Sequence, residues 1–230
     1  MIQASINEGQ LKDFQRNGFL TIDKFIDLKY LDELKKRIDL LFQGNFETGI
    51  EPDEFNWKVD RDPHDVTRQI CNAWKSDSLI REVVCNPIIG QTISKLMNWK
   101  GARLIQDNIL WKPPKGKSLG YHQDAAYVDW ISPQTMATCW IPLDNTNKEN
   151  GTLEFAIESH HWDLCPPSES FHAPIDYKKG LKGYLKMKDK SLKIHLAEIS
   201  AGGVSFHHGM TWHGSGVNQT NSDRLAIVAH

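Results

Sequence analysis

The sequence predicts a mainly β protein with flanking α-helices, and two observations lead to this fold class. From Ala102 onward, short runs of β-branched and aromatic residues are separated by Gly, Pro, Asn and Asp at intervals of about ten residues. Before that point, apolar residues recur at helical spacing in several segments. Strands that follow one another without intervening helices are typical of an antiparallel sandwich or barrel, whereas a parallel sheet needs strands and helices in alternation.

The first hundred residues are expected to form helices. Apolar residues repeat at helical spacing over residues 28–41, directly behind Asp27, which is a favourable N-cap. A second helix is predicted from Pro87, because proline is favoured in a first turn and apolar residues follow it as far as Leu96. Residues 44–65 are rich in Asp, Glu and Pro, which predicts a long surface connection between these helices.

The rest of the chain is predicted to form the β core. Its expected strands cover residues 104–112, 125–130, 135–143, 152–157, 192–198, 203–207 and 224–230. Residues 164–190 interrupt this series with prolines, glycines and weak periodicity, which predicts a loop over one mouth of the barrel. Long loops in compact domains often act as lids over a site.

Length and composition indicate one domain over residues 1–230. Residues 1–100 would form its helical support, and residues 101–230 would form the β core that carries the functional site. A hydrophobic fraction of 40% and a charged fraction of 24% are ordinary for a globular protein with a substantial core. The four cysteines form no CxxC pair, so neither a zinc knuckle nor a redox motif is indicated.

The charge pattern argues against nucleic-acid and membrane partners. The net charge is -2 and the pI is near 6.5, so no basic footprint is expected. The most basic stretch, residues 178–193, is interrupted by glycines and an aspartate and is predicted to be a solvated loop. The sequence has neither an N-terminal signal pattern nor the roughly 18 consecutive apolar residues that a membrane span needs, which predicts a cytoplasmic protein.

A short motif, His122-Gln123-Asp124, carries the first chemical signal. In an extended chain, residues two apart point to the same face, so one imidazole nitrogen and one carboxylate oxygen can meet at a single metal ion. The motif is common by chance, however, and alone it is more often a surface pair.

A second segment, residues 206–218, strengthens the prediction. It contains His213 after a glycine-rich turn, which completes a set of two histidines and one carboxylate. Such a set binds iron(II) on one face and leaves positions open for a co-substrate and O₂. Arg224 follows on an otherwise apolar strand, where an inward guanidinium would need a carboxylate partner. The distal carboxylate of 2-oxoglutarate would be such a partner.

These motifs together resemble the phytanoyl-CoA dioxygenase family. The resemblance rests on the HxD motif, the later WHGSGxN segment and an arginine eleven residues beyond its histidine. Three further segments match in the same order: residues 111–114 (WKPP), 140–144 (WIPLD) and 150–153 (NGTL), the last leading to Ser159-His160. The similarity extends from about residue 104 onward, while the N-terminal helices match only in general style.

The resemblance implies a double-stranded β-helix of the jelly-roll, cupin-like type and an Fe(II)- and 2-oxoglutarate-dependent dioxygenase. Residue by residue, it implies that His122, Asp124 and His213 ligate iron and that Arg224 anchors 2-oxoglutarate. It further places Trp140 and Ser215 at the co-substrate. The reaction would consume O₂, release succinate and CO₂ and be stimulated by ascorbate. A carboxylate at position 124 favours hydroxylation or another oxidation over halogenation, because related halogenases carry a small residue there and leave room for chloride.

The substrate is expected to be a small molecule, bound by a monomer or a homodimer. Tyr127 and Trp130, directly after the HxD motif, and Gln106 on the preceding strand are candidates for the substrate pocket. His207 is interpreted as a structural histidine in preference to a residue beside the metal. Two other functions stay open from the residues alone. One is a β-helix protein that holds metal and ligand without turnover, and the other is a zinc hydrolase, which would leave Arg224 unexplained.

Overall fold

The computed structural model describes residue 2, residues 5–168 and residues 171–230. Strands and helices within these ranges confirm a mainly β fold with flanking helices. The strands are β1 Phe19–Ile22, β2 Glu54–Phe55, β3 Arg68–Cys71, β4 Asp107–Lys112, β5 Leu119–His122, β6 Ala137–Pro142, β7 Leu153–Ala156, β8 Ile194–Leu196, β9 Val204–His208, β10 His213–Ser215 and β11 Arg224–Ala229. The helices are α1 Glu8–Asn17, α2 Leu31–Phe42, α3 Ser78–Val84, α4 Pro87–Met97 and α5 Lys179–Lys188.

The strands form two antiparallel sheets. The larger sheet has the order β1-β9-β6-β11-β4-β3-β2, and the smaller has the order β5-β10-β7-β8. Side chains from both sheets meet between them: Phe19 of the larger sheet stacks on Phe155 of the smaller, with ring centroids 4.7 Å apart. The space between the sheets therefore has an apolar end and, further along, the cavity described below.

The main hydrophobic core lies on the other face of the larger sheet, beneath the N-terminal helices. On β11, Leu225 and Ile227 belong to this core together with Leu34 and Ile38 of α2. Alternate residues of a strand face opposite sides, so Arg224 and Val228 point between the two sheets. The same alternation runs along β4, β6 and β9. Each central strand thus contributes to the core with one face and to the cavity with the other.

Local sequence explains where the predicted helices begin. The side chain of Asn86 accepts a hydrogen bond from the Ile88 amide, and Pro87 occupies the first turn of α4. Asp27 caps a short 3₁₀ turn, Leu28–Tyr30, and α2 follows it directly. The helix predicted over residues 28–41 therefore exists, with a tighter first turn. Helices α1 and α3 and strands β1, β2, β3, β5 and β10 were not predicted.

The strand predicted over residues 125–130 is wrong. Residues Asp124–Tyr127 form a 3₁₀ turn, in which the Ala126 amide donates to the Gln123 carbonyl. The Ala125 amide donates to the carbonyl of Gly209, and Ala125 is fully buried. Two small alanines allow this tight turn to pack beneath the end of β9. The other six predicted strands exist with shifted ends.

The loop predicted over residues 164–190, which overlaps the basic stretch 178–193, is partly wrong. Its second half contains α5, whose Leu181 and Tyr184 pack on the outer face of the smaller sheet while its lysines face outward. Residues 169 and 170 lie outside the described residues. The first half does cover the mouth of the cavity, since Phe171 and His172 line it.

The surface connection predicted over residues 44–65 contains strand β2, and Trp57 within it is buried. The first hundred residues are therefore more than a helical support, because they supply β1, β2 and β3 to the larger sheet. None of the helices described is long and apolar enough to cross a bilayer.

Candidate metal centre

The smaller sheet brings two histidines side by side. His213 on β10 lies directly opposite His122 at the end of β5, and the two ring centroids are 4.1 Å apart. Asp124 begins the 3₁₀ turn that follows β5. Its Oδ1 atom lies 3.2 Å from Nε2 of His122 and 3.4 Å from Nε2 of His213. The three predicted ligands thus converge, with their ligand atoms within 4.8 Å of one another.

Backbone carbonyls fix which nitrogen of each histidine carries its proton. Nδ1 of His122 donates to the Gly120 carbonyl at 2.9 Å, and Nδ1 of His213 donates to the Thr211 carbonyl at 3.0 Å. In the neutral rings, each Nε2 therefore presents a lone pair towards Oδ1 of Asp124. Three electron-rich atoms that face one another are stabilised by a cation between them. Two imidazoles and one carboxylate are the donor set that suits iron(II).

The second carboxylate oxygen of Asp124 is held by two donors. Oδ2 accepts from the Thr138 hydroxyl at 2.6 Å and from Nε2 of His207 at 3.0 Å. Burial alone would raise the pKa of Asp124, but the neighbouring histidines, including the hydrogen bond that His207 donates, lower it well below its usual value. Burial also lowers the pKa of His213 well below the usual value for histidine. The centre therefore favours an ionised carboxylate beside a neutral imidazole, as metal binding requires.

His207 corrects the interpretation made from sequence, which favoured a structural role. It is fully buried on β9, and its ring faces Asp124 across the space between the sheets. Thr138 on β6 and His230 after β11 complete this side of the centre, with Oγ1 of Thr138 lying 2.9 Å from Nδ1 of His230. Neither residue belongs to a recognisable motif. Only the strand order places them beside Asp124.

Unpaired buried donors mark one end of the space between the sheets. Arg224 is 1% exposed, and none of its three guanidinium nitrogens has a hydrogen-bond partner among the described residues. Its guanidinium lies 5.6 Å from the ring of Trp140, whose buried indole nitrogen also lacks a partner within the described ranges. Burial lowers the pKa of Arg224 to about 10, and Asp144 partly offsets that effect. A buried cation with free donors requires an anion, and a carboxylate matches its fork.

Ser215, the third predicted co-substrate residue, is fully buried beside this end. Its hydroxyl donates to the Gly151 carbonyl at 2.6 Å and accepts from Nζ of Lys112 at 2.6 Å. Lys112 is itself fully buried and lies opposite Arg224 in the pairing of β4 with β11. Burial lowers the pKa of Lys112 well below its usual value, and Arg224 lowers it further. Lys112 belongs to the WKPP segment, but sequence reasoning gave it no function.

A cavity of about 460 Å³ opens beside the three converging ligands. Gln106 and Tyr127, two of the predicted substrate residues, line it. The expectation for Trp130 is corrected, because this side chain is 70% exposed and lies outside the cavity wall. Phe171 packs edge-on against the ring of His122, with ring centroids 4.7 Å apart. It therefore covers His122 on the side of the cavity mouth.

Comparison with known proteins gives a consistent result. The sequence profile of the phytanoyl-CoA dioxygenase (PhyH) family matches residues 14–226 of this chain. A probable phytanoyl-CoA dioxygenase of Caenorhabditis elegans is 23% identical over 240 residues, which cover 96% of this chain and 73% of that protein.

Two solved structures are similar over nearly the whole chain. EctD from S. alaskensis, with 2-oxoglutarate and 5-hydroxyectoine, has a TM-score of 0.77 at 17% identity and covers 99% of this chain and 78% of its own. The epimerase SnoN, in complex with Fe³⁺, alpha ketoglutarate and nogalamycin RO, has a TM-score of 0.73 at 21% identity, covering 96% and 81%. At these identities the structures establish the shared fold, and the predicted double-stranded β-helix is confirmed.

Proposed function

The chain belongs to the phytanoyl-CoA dioxygenase family, and from that membership we propose that it hydroxylates a small molecule at the centre formed by His122, Asp124 and His213. It is an Fe(II)- and 2-oxoglutarate-dependent dioxygenase. The observation that carries the site assignment is the convergence of two imidazole lone pairs and one carboxylate oxygen beside a cavity. The guanidinium of Arg224, which has no hydrogen-bond partner in the described part of the chain, supports the choice of co-substrate.

Different residues would bind the iron and the 2-oxoglutarate. His122, Asp124 and His213 would hold the iron from the side of the smaller sheet, and Arg224 with the indole N–H of Trp140 would bind the distal carboxylate of 2-oxoglutarate. Iron(II) with 2-oxoglutarate and O₂ supplies the oxidant, and the co-substrate leaves as succinate and CO₂. Phe171 and the walls of the cavity limit the access of water to His122.

The carboxylate at position 124 supports hydroxylation as the outcome. Its Oδ1 atom faces both histidine nitrogens, so it would occupy a third coordination position on the metal. A zinc hydrolase would use the same three ligands but would leave the buried guanidinium of Arg224 without an anion. We also propose a cytoplasmic location, because the four cysteines are free thiols, as expected in a reducing compartment.

The experiment that tests this function is an anaerobic titration of the iron(II)-loaded protein with 2-oxoglutarate, followed by the weak visible charge-transfer band of the chelate. We expect a band in the wild type. In Arg224→Ala the affinity for 2-oxoglutarate should fall about 100-fold, because a charge-assisted bidentate contact is lost. Arg81→Ala, at an exposed arginine of α3, is the matched control and should behave as wild type. Iron binding without a band in the wild type would contradict the proposal.

A further inference from the structure

A chain of hydrogen bonds links Asp124 to the far wall of the cavity. The Thr138 hydroxyl contacts Oδ2 of Asp124 at 2.6 Å and Nδ1 of His230 at 2.9 Å. Nε2 of His230 contacts the amide nitrogen of Asn108 at 3.0 Å. The chain then divides, because Oδ1 of Asn108 lies 3.0 Å from the amide nitrogens of both Gln69 and Gln106. Every contact is short enough to be a hydrogen bond.

The carboxylate at one end fixes the direction of the whole chain. A carboxylate oxygen has no proton to donate, so the Thr138 hydroxyl donates to Asp124 and its own oxygen accepts from Nδ1–H of His230. A neutral imidazole carries one N–H, which is used here, so Nε2 of His230 accepts from the amide nitrogen of Asn108. The side-chain amide of Asn108 is thereby oriented with its nitrogen towards His230 and its oxygen towards the glutamines.

The same logic orients the two glutamines. Oδ1 of Asn108 only accepts, so Gln69 and Gln106 must each turn an amide N–H towards it. Their Oε1 atoms are left with no hydrogen-bond partner among the described residues, and both side chains line the cavity. Either glutamine in the opposite orientation would place two carbonyl oxygens against each other. The wall therefore offers acceptors to whatever occupies the cavity.

A carboxylate adds to this surface. Glu54 on β2 lines the cavity and pairs with Cys71 of β3, whose thiol donates to its Oε2 atom at 3.6 Å. Burial raises the pKa of that thiol to about 12, so Cys71 stays protonated and is a donor. We call the Oε1 atoms of Gln69 and Gln106 together with the carboxylate of Glu54 the acceptor wall.

We infer that the substrate of this oxygenase carries hydroxyl or ammonium groups that donate to the acceptor wall, as in a polyol, a sugar or an amine. This inference rests on the proposed function and specifies the substrate class of the same cavity. Hydroxyl and ammonium groups satisfy free amide and carboxylate oxygens, whereas an acyl thioester presents carbonyl oxygens and apolar carbon to them. A site built from hydrogen-bonding groups discriminates strongly against molecules that leave those groups unpaired.

The test uses the protein loaded with iron(II) and 2-oxoglutarate under nitrogen, with the visible band as the readout of probe binding. The probes are trans-1,2-cyclohexanediol, its dimethyl ether, cyclohexylamine and octanoyl-CoA. We expect the diol to perturb the band at a concentration about tenfold lower than its dimethyl ether, because the two differ only in their donors. Glu54→Gln should weaken the response to the amine more than the response to the diol, since only the amine is cationic.

Variants connect the preference to the wall. In Gln69→Leu/Gln106→Leu, compared with wild type at equal occupancy of iron and 2-oxoglutarate, the preference for diol over ether should disappear. Gln43→Leu, at an exposed glutamine after α2, is the control and should keep it.

The outcomes separate this inference from the proposed function. Equal responses to diol and ether, no response to either, or a response to octanoyl-CoA at the lowest concentration would each overturn the donor-bearing substrate while the band itself supports the oxygenase. Failure of the band to form in the wild type would instead count against the proposed function.

Discussion

The two oxygens of Asp124 have different functions. Oδ1 faces the Nε2 atoms of His122 and His213, whereas Oδ2 accepts from Thr138 and His207. A carboxylate that is free to rotate would exchange these oxygens, and its affinity for a metal would include the entropy of stopping that rotation. The two donors on Oδ2 remove this freedom in advance. Substitution of residues that orient a metal ligand in this way typically lowers metal affinity by about 10- to 100-fold.

Thr138→Val should therefore weaken iron(II) binding although Thr138 is not a ligand. Valine keeps the shape of the side chain but removes the donor to Oδ2, and we expect metal affinity to fall about tenfold. The measurement is an anaerobic competition titration of iron(II) against a chelator. Thr152→Val is the matched control, because Thr152 is equally buried but donates to the Ala197 carbonyl. Equal metal affinities in the two variants would exclude a positioning role for Thr138.

At the scale of residues, the sequence predicts the parts of the site that are local or chemically conspicuous. His122 and Asp124 are two residues apart, and Arg224 is an unusual charge on an apolar strand. Thr138 and His230 have neither property, since Thr138 is an ordinary residue of β6 and His230 follows β11. Their contact with Asp124 depends on the order β9-β6-β11 in the larger sheet, which no short motif encodes.

At the scale of elements, a charged contact joins two helices beneath the larger sheet. Asp77 caps α3 by accepting from the amides of Leu79 and Ile80. Its other oxygen accepts from Nε of Arg37 on α2 at 2.6 Å, and its side chain is 3% exposed. The carboxylate of Asp77 thus caps the first amides of α3 and also holds α3 against α2.

Asp77→Ala should destabilise the fold by about 3 kcal/mol, because it removes a helix cap and leaves Arg37 with only the more exposed Glu47 as a carboxylate partner. The free energy of unfolding in urea is the measurement. Asp27→Ala removes an exposed cap that accepts from the Lys29 amide, and it should cost only about 1 kcal/mol. Similar losses in the two variants would contradict the assigned role of the Asp77–Arg37 contact.

The elements also show which patterns sequence reasoning resolves. Helices α2 and α4 are long, periodic and capped, and both were predicted. Strands β5 and β10 are four and three residues long, and most of their hydrogen bonds join segments distant in sequence, so propensity carries little information about them. Residues 125–127 of the 3₁₀ turn fall within the strand predicted over residues 125–130, because alanine and tyrosine fit either structure. The hydrogen bond from the Ala125 amide to the Gly209 carbonyl favours the turn.

At the scale of the whole molecule, one buried carboxyl should make stability depend on pH. Asp107 at the start of β4 is fully buried, and within the described ranges only its Oδ1 has a partner, the Trp74 amide at 3.1 Å. Burial raises its pKa to about 7, although backbone hydrogen bonds partly offset this. The folded state therefore keeps a proton that the unfolded state has already lost, and stability falls as pH rises through about 7.

Asp107→Asn should remove this dependence. Between about pH 5 and about pH 8, the difference in unfolding free energy should move in favour of the variant by about 2.7 kcal/mol. Urea unfolding of both proteins at the two pH values gives that difference, and other titrating groups cancel from it. A difference that stays constant, or that moves in favour of the wild type, would show that Asp107 does not titrate in this range.

Metal and co-substrate should each raise the stability of the folded protein, one after the other. A ligand that binds only the folded state at about 100 times its Kd adds about 2.7 kcal/mol. We expect iron(II) to raise the thermal midpoint under nitrogen and 2-oxoglutarate to raise it further. Arg224→Ala should keep the first increase and lose most of the second. If the variant lost both increases, or neither of them, Arg224 would not act specifically on 2-oxoglutarate.

Strand β11 determines the length of the interior. Arg224 begins this strand and His230 directly follows it, six residues further on the same side, so their α-carbons are separated by roughly 20 Å at the usual rise of a strand. The strand thus sets the distance between the anion-binding end and the hydrogen-bond chain that leads from His230 to the acceptor wall. Substitutions along it change chemistry at one position, but the deletion of a single residue would reverse every side chain beyond it. The fold should therefore tolerate substitutions in this segment but not insertions or deletions.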